Sequence, residues 1–588
     1  MSSIKKILSD LFSKTFEECG YDGKHGFVVE SQRPDLGQFQ CNGALAAAKS
    51  AKKNPRDIAQ NVIDKLQHTD MLRNLTIAGP GFINITLSDA LLAQHINALV
   101  SDDRLGSPAE PIPKNVVIDF GSPNVAKPMH VGHLRSAIIG DSLQRLLTFS
   151  GHTVISDNHI GDWGTQMGML ICELKSRRPD LPYFDENYTG PYPEEPPVSL
   201  SDLEEMYPVA SKKCKEDATL NKDAIDATDE LQRGRAGYRA LWNHFAGLSI
   251  PALKEDFNKL NIFFDHWYGE SFYTDRMKAL VKKLKAEGYA ILSDNALVLP
   301  VAEEDDTKEI PPVMLVKSDG GFLYGTSDMA TIEFRRETFN ADLILYVVDK
   351  RQGLHFEQVF RAARKTGIAA PDTVLEHVGF GTINGPDGKP FKTRAGGVMK
   401  LGDLISQVTQ KARERMEEAG IARDVSTEEF DDIAKKVGIA ALKFADLMNH
   451  RLSDYVFDID KFCRFEGKTG PYLLYTAVRI KSILRKAGEG NVTAGEILEP
   501  KDRERNLMLL LSSMPDVLKS AEENYAPNYI CDFAFNLSQE FNRFYKDCHI
   551  LRETDTALQG SWLALSTLCL RELELLLGLL GIEVPERM

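Results

Sequence analysis

"NVVIDFGSPNVAKPMHVGHLRSAIIGDSLQRLLTFSGHTVISDN", residues 115–158, decides how the rest of the chain is read. It opens with a short apolar run, Asn115 to Phe120, that stops at Gly121-Ser122-Pro123 and reads as a buried parallel strand. A loop with a second proline, Pro128, follows, and "HLRSAIIGDSLQRLLTFS" then reads as a helix closed by Gly151. "HTVISDN" (152–158) is the next strand. Strand, helix and parallel strand in that order imply a right-handed crossover and a doubly wound sheet. His130 and His133 stand at the mouth of the helix with only Val131 and Gly132 between them. A helix N-terminus leaves backbone N–H groups unpaired and carries a partial positive charge, so phosphate is expected there. Gly132 allows close approach to the backbone, each imidazole can donate to a phosphate oxygen, and Lys127 adds a full positive charge. An isolated H-x-x-H more often just caps a helix, but the strand before it and the helix after it favour a nucleotide.

Working outward, 588 residues imply three or four domains, and 43% hydrophobic with 26% charged residues describes an ordinary globular chain. The net charge of −15 argues against a general nucleic-acid binder, though not against a local basic stripe for one RNA partner. Eight scattered cysteines without C-x-x-C spacing argue against zinc or a redox pair and suggest a reducing cytoplasm. No run is apolar and long enough to span a bilayer, and the N-terminus lacks a secretory signal. Residues 1–110 read as a small α/β domain. It has an amphipathic first helix, a second helix over 54–66 capped by Asn54, and alternating strands over 75–87 around Gly79-Pro80-Gly81. A Pro-rich linker (102–114) leads to a Rossmann-like catalytic domain over 115–460, interrupted by a Pro- and acid-rich insertion at about 178–232. Within it, 313–328 reads as strands with a Gly turn and 341–349 as another buried strand. Beyond about residue 430 the pattern is helical, and 461–588 is expected to form an all-α domain. The expected fold class is therefore multidomain: a doubly wound parallel-sheet domain, a small α/β domain before it and an all-α domain after it.

His130-Val131-Gly132-His133 resembles the "HIGH" signature of class I aminoacyl-tRNA synthetases. The longer strings "SPNVAKPMHVGHLRSAIIGD" (122–141) and "NHIGDWGTQMG" (158–168) resemble the arginyl-tRNA synthetases in particular. The resemblance implies activation of L-arginine by ATP to an arginyl-adenylate, then transfer to the 3' end of tRNA(Arg). It gives the catalytic work to His130, His133 and Lys127. It places Ser122, Pro123, Asn124, His133, Tyr324, Asp328 and Gln352 around arginine. ATP would meet His130, Gly132 and His133, together with Lys389, Lys392 and Arg394. These last three lie in "GPDGKPFKTRAGGVMKL" (385–401), at the place of the class's "KMSKS" signature, which is absent; a solvated basic hairpin is the other reading of that stretch.

A guanidinium needs a buried carboxylate, and Thr326 or Ser327 is expected to cap a helix that brings Tyr324 and Asp328 to its mouth. For tRNA, the resemblance points to Phe82 and Asn84 at the elbow. It also points to a helix over 467–488 carrying Tyr472, Tyr475, Arg479 and Arg485, with Lys481 and Lys486 in its basic stripe. Aromatic rings can stack on bases and basic groups can hold phosphates, although Phe82 reads equally as core and tyrosines at this spacing are more often core than ligand-binding. Mg2+ is expected with ATP, with no zinc, no protein metal ligand and no membrane contact; the chain is expected to be a cytoplasmic monomer. The rival readings are a class I synthetase for another amino acid, a shorter-chain nucleotidyltransferase, and a tRNA-binding paralogue with altered catalysis.

Overall fold

The structure, a computed structural model, describes residues 2–67, 69–317, 320–385, 388 and 399–588. Its organising element is a four-stranded parallel sheet in the order Val374–His377, Leu343–Tyr346, Asn115–Asp119, Thr153–Asp157. Along the chain Thr153–Asp157 is added to one side of Asn115–Asp119, and Leu343–Tyr346 and Val374–His377 are then added to the other. The order therefore reverses between Asn115–Asp119 and Leu343–Tyr346, and open α/β sheets bind ligands beyond the strand ends at such a point. The loop that follows Asp119 emerges there.

The strands are apolar on both sides because both sheet faces are covered. Val116 and Ile118 pack with the helix Val131–Ser150, while Val117, Ile344 and Tyr346 pack with the helices Thr274–Ala286, Tyr324–Phe339 and Gly353–Lys365. Each such buried aliphatic side chain contributes about 1.5–3 kcal/mol. Gly151, at φ 101°, closes the helix Val131–Ser150 as the sequence suggests.

The segment 313–328 pairs as strand only as far as Phe322, and the helix expected beside Tyr324 starts earlier than a cap at Thr326 or Ser327 would place it. Val313–Val316 is a strand, Val316 bridges back to Phe322, and a helix begins at Tyr324. Thr326 and Ser327 do not cap it. The Thr326 hydroxyl donates to Leu315 O (2.6 Å), which ties the first helical turn to the preceding strand, and the Ser327 hydroxyl donates back to Tyr324 O (2.9 Å) within the same turn.

The expected insertion carries the helices Leu200–Glu216 and Ala218–Arg233, and the helix Ala236–Lys259 follows them. They pack around Trp163, Met167, Tyr183 and Tyr238. The N-terminal region is an antiparallel sheet ordered Val28–Glu30, Phe39–Cys41, Phe82–Leu87, Leu72–Ala78, backed by helices. The Asn54 side chain accepts from Arg56 N–H, the expected cap. The long helices after residue 400 begin with Leu401–Ala419 and Thr427–Leu447 and continue through Gly470–Glu489 to Thr556–Leu579. Buried ion pairs hold Thr427–Leu447 against Val131–Ser150: Arg135 Nε to Asp446 Oδ1 at 2.9 Å and Lys443 Nζ to Asp141 Oδ2 at 3.0 Å. Among the described residues no helix is long and apolar enough to cross a membrane.

Candidate active site

The loop after Asp119 is strained and heavily pinned. Ser122 (φ 44°) and Ala126 (φ 61°) both adopt the left-handed region, at about 1–3 kcal/mol each. The neighbours hold them there. Gly121 N–H donates to Ser136 Oγ (2.8 Å), and that hydroxyl donates to Val347 O (2.7 Å), which stitches the loop across the switch point. Ser122 N–H donates to Asn158 Oδ1 (3.0 Å) and Ala126 N–H to Ser249 Oγ (2.9 Å). The two motif blocks read from the sequence meet at a parallel bridge between Asn124 and Gly161. A Cβ on Gly161 would lie 2.1 Å from Asn124 Oδ1. Pro123 is buried and its carbonyl accepts from Gly161 N–H, so it shapes the loop rather than presenting a group to a ligand. Ser122 is exposed, and Asn124 and Lys127 are half-buried.

His130 and His133 do cap their helix, and this prepares them for another task. Gly132 N–H donates to His130 Nδ1 (3.0 Å) and His130 N–H to His133 Nδ1 (3.2 Å). A Cβ on Gly132 would sit 2.7 Å from His130 Cε1, so only glycine lets the ring fold back. The rings stack, with centroids 4.0 Å apart. Burial pushes His133 down to about 3, reinforced by His130 and Lys127; burial and then Lys127 push His130 down as well. Both rings are therefore neutral near pH 7. With Nδ1 accepting, each carries its proton on Nε2 and offers one directed donor. The helix end itself differs from expectation, because its first N–H groups are occupied: Val131 donates to Met399 O and Gly132 to His130. An anion here meets imidazole N–H donors and Lys127, not bare amides.

The expected guanidinium pocket is assembled from three separate stretches. Tyr324 (70% exposed) and Asp328 lie one turn apart on Tyr324–Phe339. Asp328 Oδ2 accepts from His355 Nε2 at 2.5 Å. Burial opposes charge on His355, but the Asp328 hydrogen bond and charge outweigh it, and its pKa is raised. Sequence reasoning missed His355. It also missed Glu270, which reaches the pocket because Gly269 bridges in parallel to Ile160, placing Glu270 N–H on Ile160 O (3.1 Å). Burial pushes Glu270 up to about 7; His159 opposes this, and Asp162 and Asp328 add to it. Its charge also reaches Tyr324. "YGESFYT" carries no local signal for this role, because only the distant pairing with 156–160 brings it in. Gln352 is exposed at the end of the turn after Leu343–Tyr346. Asp328, Glu270 and Tyr324 lie close enough to feel one another's charge, and carboxylates beside a phenol suit a planar cation.

Lys389, Lys392 and Arg394 lie outside the described residues. Lys400, just beyond them, pairs with His130 in an antiparallel bridge. Of the residues expected to meet tRNA, Phe82 is half-buried beside the Gly79 turn. Asn84 is buried, its amide accepting from Gln40 (2.9 Å) and donating to Thr76 (3.5 Å); it is a sheet residue, not a free reader of bases. Tyr472, Tyr475 and Arg479 share a face of Gly470–Glu489. Arg479 stacks on Tyr475 at 4.8 Å, and Asn542 joins Arg479 (2.6 Å) to Tyr472 (3.0 Å). Arg485 and Lys486 are exposed, whereas Lys481 is neutralised by Glu574 and Glu586 and leaves the basic stripe.

Comparison with known proteins finds relatives along the whole chain. Residues 95–459 match the family described as tRNA synthetases class I (R), catalytic domain. Residues 2–87 match the arginyl tRNA synthetase N terminal domain and 473–588 the DALR anticodon binding domain. The arginine–tRNA ligases of Alkaliphilus oremlandii and Maricaulis maris are 50% and 51% identical, over 592 and 589 residues, covering 100% of both chains in each case. The crystal structure of arginyl-tRNA synthetase from Plasmodium falciparum is similar over 100% of both chains, with 27% identity and a TM-score of 0.81. That of the Thermus thermophilus enzyme shares the fold at 21% identity and a TM-score of 0.79, again over 100% of both chains.

Proposed function

The chain belongs to the arginyl-tRNA synthetases, and from that premise we propose that it activates L-arginine with ATP and transfers the arginyl group to the 3' end of tRNA(Arg). The observation that carries this reading is the pair of neighbouring imidazoles at the sheet switch point, each with Nε2–H free to donate, supported by the two carboxylates Asp328 and Glu270, which lie near each other.

Arginine lies with its guanidinium on Asp328 and Glu270, Tyr324 against its plane, and Gln352, Ser122 and Asn124 toward its amino and carboxylate end. The arginine carboxylate attacks the α-phosphorus of ATP and pyrophosphate departs. His130 and His133 donate from Nε2 to phosphate oxygens as charge gathers on them, and Lys127 adds its charge from the same loop. Neutral imidazoles suit this task because they add direction without requiring a buried charge to be created first. Mg2+ enters with ATP as part of the substrate. The 389–394 cations act on the same triphosphate. The tRNA elbow meets Phe82, and its anticodon arm meets the Tyr472, Tyr475, Arg479 and Arg485 face. The chain acts as a cytoplasmic monomer.

ATP–pyrophosphate exchange with each amino acid, with and without tRNA(Arg), tests the reading. Exchange that depends on arginine is expected. Exchange with another amino acid, or with none while tRNA still binds, selects one of the rivals.

A further inference from the structure

At residues 399–401 the chain runs antiparallel to the signature loop. Val131 N–H donates to Met399 O (3.1 Å) and Leu401 N–H to Met129 O (2.9 Å), which leaves His130 and Lys400 as the pair between them. A pair bracketed in this way is the narrow kind, and its two side chains leave the same face with Cβ atoms about 4.5–5.5 Å apart. Lys400 therefore starts beside the His130 imidazole. Its ammonium is met by Glu204, Nζ to Oε2 at 2.6 Å, from the insertion helix Leu200–Glu216. Glu204 also lines, with Lys127, a crevice of about 30 Å³ under the loop. Asp256 also lines this crevice, but its carboxylate is paired with Lys259, so Glu204 is the carboxylate that meets Lys400 there. The Lys400–Glu204 pair is open to water, with side chains 51% and 27% exposed, so it is weak and exchanges readily for a stronger anion.

We propose that Lys400 is a phosphate-binding residue for ATP and that Glu204 competes with the triphosphate for its ammonium, so that the insertion sets the affinity for nucleotide. This rests on the reading that ATP lies against His130 and His133. A polyphosphate offers several charged oxygens to a lysine that already stands beside one of its donors, and it displaces a single exposed carboxylate. The displaced Glu204 loses its link to the 399–401 segment, so nucleotide binding also frees Leu200–Glu216 from the site.

The test is steady-state ATP–pyrophosphate exchange by the full chain with saturating arginine and tRNA, for wild type, Lys400→Met, Glu204→Gln and the double variant. Lys400→Met is expected to raise KM for ATP about tenfold and leave KM for arginine unchanged, with Lys400→Arg restoring most of the loss. Glu204→Gln is expected to lower KM for ATP about threefold, an effect that vanishes when Lys400 is absent. Both side chains are partly exposed, and circular dichroism checks that each variant folds. A KM for ATP that stays within about twofold of wild type in either single variant, or a Glu204→Gln effect that persists without Lys400, overturns the proposal. If the wild type itself fails to activate arginine, the functional reading has failed instead. Calorimetric titration of ATP into the same four proteins then decides the role of Lys400 on its own.

Discussion

The helix Tyr324–Phe339 holds one guanidinium and carries part of the pocket proposed for another. Near its C-terminal end Arg335, part of the chain, is fully buried and its Nη2 donates to Asp119 Oδ2 (2.6 Å) and Asp157 Oδ2 (2.8 Å) at the ends of two sheet strands. Two turns earlier, on the same face, Asp328 and the nearby Glu270 form the pocket proposed for the substrate's guanidinium. The first site is closed and permanent. Its charges are deep in the core, so each depends on the others. The second is partly open. Its anions are kept from full strength by Glu270's raised pKa and by a histidine that already holds Asp328. A structural arginine is held by complete desolvation, whereas a substrate arginine has to be held by groups that can also release it.

The largest effect is expected at the closed site. Arg335→Met leaves two buried carboxylates facing each other without a cation and is expected to cost about 3–5 kcal/mol of stability, read from urea unfolding. A loss below about 1 kcal/mol would mean that the two sites differ less than their burial implies. At the open site, Asp328→Ala is expected to spare the fold and to raise KM for arginine by about 100-fold or more, read by pyrophosphate exchange.

Glu270→Gln is expected to raise the same KM about tenfold and to remove its pH dependence. The sign follows from burial holding a proton on Glu270 up to about pH 7. Its carboxylate becomes an anion, and binds the guanidinium, only as pH rises through that value. KM for arginine in the wild type is therefore expected to fall about tenfold from about pH 6 to about pH 8. For stability, the same raised pKa means that the proton on Glu270 favours the folded state. That contribution is present at low pH and is lost as pH rises from the unfolded carboxylate's pKa toward 7. The smallest effect is expected at His355. Its raised pKa lets a protonated imidazole compete for Asp328, so His355→Gln is expected to lower KM for arginine about threefold near pH 6.5 and to change little at higher pH.

The parallel sheet and the histidine loop were legible in the sequence because each depends on neighbours in the chain. Asn115–Asp119 is an apolar run, Gly151 ends the next helix, and Gly132 permits the His130 cap. The resemblance also named Asp328 and Tyr324. Glu270 and His355 were not legible, because a parallel bridge to Ile160 and a contact across two helices bring them in, and neither leaves a mark in the local pattern. Thr326 and Ser327 misled as caps because a strand carbonyl claimed the Thr326 hydroxyl and a carbonyl of its own helical turn claimed that of Ser327. Asn84 misled because an amide in a strand looks the same in sequence whether it faces solvent or another strand.

The most direct measurement is a crystal structure of the full chain with a non-hydrolysable arginyl-adenylate analogue. The guanidinium is expected within hydrogen-bonding distance of both Asp328 and Glu270, with His355 displaced, and the bridging phosphate-like group is expected on the Nε2 atoms of His130 and His133. A guanidinium lodged elsewhere, with His355 still on Asp328 and both imidazoles turned from the ligand, would contradict the proposed division between a permanent and an exchangeable arginine site.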